Sequence, residues 1–249
     1  MTAGDLPYRV LADAYDVVAI TPGYFDATGT AKGYEFNKLN GDLKDFPLPD
    51  LVGDGTLSSS YLRTVVPSNY AKAGDANNTF NYPDNDDRFD EVQSYIHAQA
   101  HFDFFKSLGF AWYGPSPLEI KIHVKPAGRS NNALFIPGSD IDGTLPSISI
   151  DDGDGVDLQY LISDGDVVSH EFGHHVIYNT LKSTDGESLV LHEGLADSFV
   201  FFRTSDACLG ESICPKNSGA CIIQGQCLRS GDKDRKSTRL NSSHTDIFR

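Results

Sequence analysis

Asp166 to Leu181 reads DVVSHEFGHHVIYNTL, and Leu191 to Phe202 reads LHEGLADSFVFF. The first stretch contains H-E-x-x-H at His170-Glu171-Phe172-Gly173-His174. Residues four apart share one face of a helix, so His170 and His174 can turn two imidazoles toward one Zn²⁺. Glu171 follows His170 by one residue, about 100° round the helix. It then stands beside the open position of the metal, where a general base belongs. Catalytic zinc usually takes three protein ligands and a water. Glu193 is the candidate third ligand; 18 residues separate it from His174, and it opens the second amphipathic run. Asp197, four residues on and on the same face, can accept the second ring N–H of a ligand histidine.

The neighbours of these residues read as scaffold. His175 points about 100° away from His174 and is expected to be structural. His192 is expected to face solvent or a neighbouring loop. Val168, Phe172 and Val176 supply a buried face, and Gly173 would let another element pack closely. A bare H-E-x-x-H can arise by chance on a core helix. The downstream Glu193-Gly194-Leu195-Ala196-Asp197 and the helical periodicity on both sides argue against chance here.

Upstream, Leu118 to Val124 alternates strictly: Leu118, Ile120, Ile122 and Val124 against Glu119, Lys121 and His123. That pattern predicts a half-buried strand. Asn131 to Phe135 and Ser147 to Ile150 follow as further strands, and the free edge of one beside a cleft can take an extended peptide. Asn132 to Phe135 is the candidate edge. Asp151 to Asp157, DDGDGVD, is acidic and turn-forming. Ca²⁺ is the cation it could take, but no glutamate closes a full loop, so a solvated turn is the expected reading.

Further back, Phe89, Val92, Ile96, Ala100 and Phe104 recur at helical spacing, and Gly109 is placed to end that helix in a left-handed conformation. His97 and His101 are four apart on it, without a nearby base or third ligand, and read as surface or satisfied histidines. Residues 1–78 look β- and loop-rich, with short apolar runs at 9–11 and 16–20 and one strand over Leu57 to Val66. Ala73 to Asp87, rich in Asn and Asp, reads as a linker.

Downstream, Cys208, Cys214, Cys221 and Cys227 are the only cysteines. An even, clustered set predicts two disulfides and an oxidising compartment; four cysteines allow three connectivities, the adjacent pairs Cys208–Cys214 and Cys221–Cys227 being one. A second zinc site would show tighter pairs. The string DRKSTRLNSSH from Asp234 to His244 resembles the translation of a sequencing-library adapter, so the chain from about Asp234 is expected to be non-native.

The whole chain has 249 residues, 39% of them hydrophobic, with net charge −15. Such acidity argues against a nucleic-acid partner. No apolar run reaches the roughly 18 residues of a membrane span. The opening MTAGDLPYRV lacks the charged start and apolar core of a signal peptide.

The stretch from about Asp87 to Arg203 resembles the thermolysin-like and fungalysin-like zinc metallopeptidases, whose third ligand is glutamate. Asn132-Ala133, the DGDG from Asp152 to Gly155, DVVSHEFGH from Asp166 to His174, and EGLAD from Glu193 to Asp197 carry that resemblance. LPDLVGDGTLSSSYLRTVV looks like the entry to a fungalysin-type catalytic domain. The resemblance implies an α+β zincin-type fold, with a β-rich lobe, helices carrying the site and a C-terminal helical lobe. The corresponding domains are 1–78, the N-terminal lobe or end of a pro-segment; 79–204, the catalytic core; 205–233, a Cys-rich loop; and 234–249, the tail.

It also implies His170, His174 and Glu193 on zinc, Glu171 as base and acid, Asp197 behind a ligand, and backbone groups of Asn132 and Ala133 against substrate. A secreted enzyme acting on protein or peptide substrates follows from it, with neither membrane nor nucleic acid as partner. The family's transition-state histidine has no counterpart here, nor does the tyrosine some members use. That implies a truncated chain short of full activity. The same spacing occurs in zinc aminopeptidases with E-G-x-A, but the G-x-M-E-N segment of those exopeptidases is missing. A secreted module with a closed, structural zinc site is the remaining alternative.

Overall fold

The computed structural model describes residues 27–35, 41–110, 117–139, 141–181, 187–221 and 227–231. In chain order the elements are β1 (Ala27–Gly33), β2 (Lys44–Leu51), β3 (Leu62–Val65), β4 (Thr79–Phe80), α1 (Asp87–Ser107), β5 (Leu118–Lys121), β6 (Ala133–Ile136), β7 (Ser147–Ile150), α2 (Gly165–Leu181), α3 (Glu187–Thr204), β8 (Cys208–Leu209) and β9 (Arg229–Ser230). The architecture is α+β as expected, a strand-rich first part followed by helices. The expected runs at 9–11 and 16–20, and the tail from Asp234, lie outside the described residues.

A four-stranded sheet in the order β3-β5-β7-β6 frames the helices. β3, β5 and β7 run parallel, while β6 pairs antiparallel with β7 at the edge. Parallel neighbours need a long crossover, and α1 lies in the one between β3 and β5. All four residues of β7 are buried, as expected of a strand covered on both faces. A second sheet, β2-β1-β4, is tied to α1 by one glutamine: Tyr34 N donates to Gln93 Oε1, and Gln93 Nε2 donates to the Tyr34 carbonyl, both at 2.9 Å.

The alternation read over Leu118 to Val124 holds for Leu118, Ile120 and Ile122, all wholly buried. Burying each such side chain is worth about 1.5–3 kcal/mol. The strand ends at Lys121, however, and His123 takes a left-handed φ of 55° that turns it inside. The strand expected over Leu57 to Val66 is realised only as β3. Before it, the Ser59 hydroxyl accepts from the Tyr61 and Leu62 amides and folds the chain back. Such a local side-chain acceptor competes with a strand ladder.

Ala73 to Asp87, read as a linker, is instead packed. Phe80 is wholly buried, the Ala73 amide donates to the buried Glu91 carboxylate, and Asp86 caps α1 by accepting from the Arg88 amide. Thr64 Oγ1 donates to the same Glu91, so one carboxylate joins β3, this stretch and α1. α1 ends as expected, with Gly109 at φ 83°. His97 and His101 are not on the surface: each is buried, His97 bonded to Gln93 and His101 packed on Phe104, Phe105 and Phe172. Burial pulls the His97 pKa down to about 3 and His101 well below its ordinary value, so both are neutral.

Candidate metal centre

α2 begins where the Asp164 carboxylate accepts from the Asp166 and Val167 amides, as an N-cap does. Burial raises the pKa of that carboxyl to about 6. Val168, Phe172 and Val176 are buried as expected. α3 crosses close at Gly173, where an added Cβ would stand 3.2 Å from Ala196 Cα. This close approach brings the two sequence motifs together.

His170 Nε2 and His174 Nε2 are 3.0 Å apart. Glu193 Oε2 lies 3.3 Å from the first and Glu193 Oε1 3.3 Å from the second. Zinc takes nitrogen and carboxylate oxygen at about 2.0–2.2 Å, so tetrahedral donors stand about 3.3 Å from one another. Two imidazoles and a carboxylate at these separations fit Zn²⁺ in both donor chemistry and spacing. Asp197 Oδ1 is 2.9 Å from His170 Nδ1, on the far side of the ring from Nε2. α2 and α3 therefore bring His170, His174, Glu193 and Asp197 to one place. Glu171, nine-tenths buried, is beside them on α2.

Burial and the nearby Arg229 oppose charge on His170, yet Asp197 and Glu193 outweigh them and hold its pKa up at about 10. Burial works to raise the Glu193 carboxyl, but the two imidazoles bring it well below the carboxylate range. Burial likewise opposes charge on Asp197, which is lowered through His170 and Arg229. Glu171 goes the other way: burial raises it, and the histidines only partly compensate. A carboxyl moved upward is better matched to taking and returning a proton near neutral pH.

Asn132 and Ala133 lie at the edge of the four-stranded sheet. β6 is the outer strand, Ala133 pairs with Ile150, and the Asn132 carbonyl accepts from the Asp151 amide. β6 runs along α2, with the Phe135 ring 5.4 Å from that of His175. His175 is buried against Phe135 and Phe172, a structural role as read from its angle. His192 does not face solvent: it is buried, and its ring stacks 5.9 Å from His174. The α2–α3 approach encloses it.

Arg229 was not signalled by any motif. It lies on β9, and its Nη1 is 2.6 Å from Asp197 Oδ1 and 3.4 Å from Glu193 Oε2. The cysteines around it pair in a nested manner, Cys208–Cys227 and Cys214–Cys221, rather than as adjacent pairs. The acidic turn at 151–157 is held by its own carboxylates. Asp151 is buried and accepts from the Asn131 amide, and Asp154 accepts from the Val156 and Asp157 amides.

No protein-family model and no curated protein sequence matches the chain. Among solved structures it is similar to the precursor of protealysin, a metalloproteinase from Serratia proteamaculans, at 19% identity and a TM-score of 0.44. The similarity covers 71% of this chain and 53% of that one, so the chain spans about half the length of its structural neighbour.

Proposed function

We propose that the chain carries the site of a zinc metalloendopeptidase that hydrolyses peptide bonds in proteins. The observation that carries the reading is the spacing of His170 Nε2, His174 Nε2 and Glu193, 3.0, 3.3 and 3.3 Å, at the separations of tetrahedral zinc ligands. In this reading the catalytic core is 79–204, followed by the Cys-rich excursion at 205–233. Zinc held there would supply Lewis acidity, polarising the scissile carbonyl and lowering the pKa of water toward about 7.

The chain's own groups do the rest. Glu171 accepts a proton from the attacking water and passes it to the leaving nitrogen. Asp197 holds His170 through Nδ1, which directs Nε2 toward Glu193 and His174. The outer edge of β6, with the backbone of Ala133, aligns an extended substrate by strand addition, while the Asn132 carbonyl stays bonded to the Asp151 amide. Two disulfides suit a secreted protein. No helix among the described residues is long and apolar enough to cross a membrane.

The test is Glu171→Gln, assayed on peptides blocked at the N-terminus, with zinc counted after dialysis. The expected result is one zinc retained and hydrolysis lowered about 10²–10⁴-fold. A variant as active as the parent, or a parent that holds no zinc, ends the proposal. Cleavage confined to unblocked N-termini would make the enzyme an aminopeptidase.

A further inference from the structure

Arg229 reaches the metal cluster from outside both helices, along a short hairpin closed by a covalent bond. β8 and β9 pair Cys208 with Ser230 and Leu209 with Arg229, and the Cys208–Cys227 disulfide sits at the root of that pairing. Leu228 N donates to the Leu209 carbonyl at 2.9 Å and Gly231 N to the Ala207 carbonyl at 2.7 Å. With two residues per strand this ladder is very short, and a two-stranded ribbon is marginal by itself. The hairpin also touches both helices of the site. Gly210 N donates to Asp166 on α2 at 2.8 Å, and Gly231 packs on the Phe201 ring of α3. Arg229 then meets Asp197 and Glu193. One covalent link therefore stands two residues from the cation that sets two carboxylates of the site.

We propose that the Cys208–Cys227 disulfide governs zinc affinity, by holding Arg229 where it aligns Glu193 and Asp197. The proposal rests on the zinc site put forward above. Arg229 is here a positioning residue: its guanidinium fixes the Glu193 and Asp197 carboxylates so that Glu193 faces the imidazoles and Asp197 faces His170. Opening the bond leaves only non-covalent contacts, the short ladder and its few hydrogen bonds, to hold the arginine. The Cys214–Cys221 bond lies farther along the excursion, with both cysteines buried, whereas Cys208 is part-exposed. Its partner Cys227 is buried. With a trialkylphosphine, phosphorus attacks one sulfur and gives up an electron pair, and the second sulfur leaves as thiolate. Water supplies the oxygen of the phosphine oxide and the two protons of the thiols.

The experiment measures zinc affinity of the full chain by competition with a chromophoric chelator, without turnover. Cys208→Ser with Cys227→Ser is compared with Arg229→Met, with all three changes together, and with Cys214→Ser plus Cys221→Ser. Serine avoids new thiols that would themselves bind zinc. Opening Cys208–Cys227 is expected to weaken zinc binding about 10–100-fold, the usual cost of losing a group that orients a ligand. Arg229→Met should cost as much, the triple variant no more than either, and Arg229→Lys should recover part of the loss. The other cysteine pair should leave affinity within about twofold of the parent.

Parental affinity in the Cys208/Cys227 variant, or losses that add in full in the triple variant, would overturn the coupling. If that variant lacks helical signal in far-UV circular dichroism, the parent is reduced with the phosphine, its thiols are alkylated, and zinc affinity is read against alkylation of Cys208. Loss that follows Cys208 supports the coupling, and unchanged affinity refutes it. Hydrolysis absent from a chain that binds zinc bears on the peptidase reading alone and leaves this one standing.

Discussion

Among the described residues, histidine and carboxylates come within reach of one another in two places. One is His170, His174 and Glu193; the other is Asp90, His123 and Asp152. They differ in what separates the donor atoms. In the first, the three closest separations are 3.0–3.3 Å, room for an ion between them. In the second, His123 Nδ1 and Asp152 Oδ1 meet at 2.5 Å, in direct contact. In this second cluster Ser163 donates to Asp90, and Tyr70 stacks on the His123 ring at 4.1 Å, while His123 Nε2 is buried without a hydrogen-bond partner. Both clusters bring ligand-type residues together, and they differ in the spacing of their closest atoms.

Metal removal should break this symmetry most strongly. A ligand at a thousand times its dissociation constant stabilises the folded state by about 4 kcal/mol. With zinc in that excess, chelation should lower the melting temperature of the parent and of His123→Ala alike. His174→Ala should bind no zinc after dialysis and should melt the same with or without chelator. If His123→Ala loses the chelator effect, or His174→Ala keeps it, the assignments of the two clusters are reversed.

The first cluster of this comparison was legible because most of it is local. His170, Glu171 and His174 lie within one helical turn and a half, and Glu193 and Asp197 within another turn. A period of 3.6 states which of them share a face. The second cluster was not legible, since Asp90, His123 and Asp152 come from a helix, the end of a strand and a turn. His123 was misplaced for a specific reason: alternation put it on the outer face of β5, but the strand stops at Lys121 and a left-handed backbone reverses its direction. Arg229 and the buried position of His192 escaped likewise. Each depends on contacts between segments, and periodicity within a segment cannot register them. The cysteines were the one signal near Arg229, and their nested pairing had to come from the structure. In the fold, local serine acceptors shortened β3, and the polar run before α1 proved packed because Phe80, Ala73 and Asp86 each find a partner.

A smaller effect sharpens the metal side. Asp197 touches the ligand His170 without being a donor of the zinc set, so Asp197→Asn keeps the shape and removes the charge opposite Nδ1. Zinc affinity is expected to fall about 10–100-fold, roughly 1.4–2.7 kcal/mol. Chelator competition measures it. Affinity unchanged by the substitution would show that Asp197 plays no part in setting His170, even at 2.9 Å.

The smallest effect belongs to the second cluster and is read from pH. Burial opposes charge on His123, but Asp152, with Asp90 and Asp87 behind it, leaves its pKa above the ordinary 6.5. A histidine raised by folding contributes stability that is fully present below the unfolded pKa of about 6.5 and is lost as pH rises through the folded value. Asp152 is partly exposed, its side chain at 44%, so solvent screens the pair and the contribution should be about 0.5–1 kcal/mol. Asp152→Asn should remove most of that dependence while leaving zinc stoichiometry at one. The measurement is urea unfolding of zinc-loaded parent and variant at intervals from acid to alkaline pH. The difference in stability between them should be largest on the acid side and shrink as pH rises above 6.5. A difference that stays constant with pH would mean that His123 is neutral throughout, and the second cluster would then be a hydrogen bond rather than an ion pair.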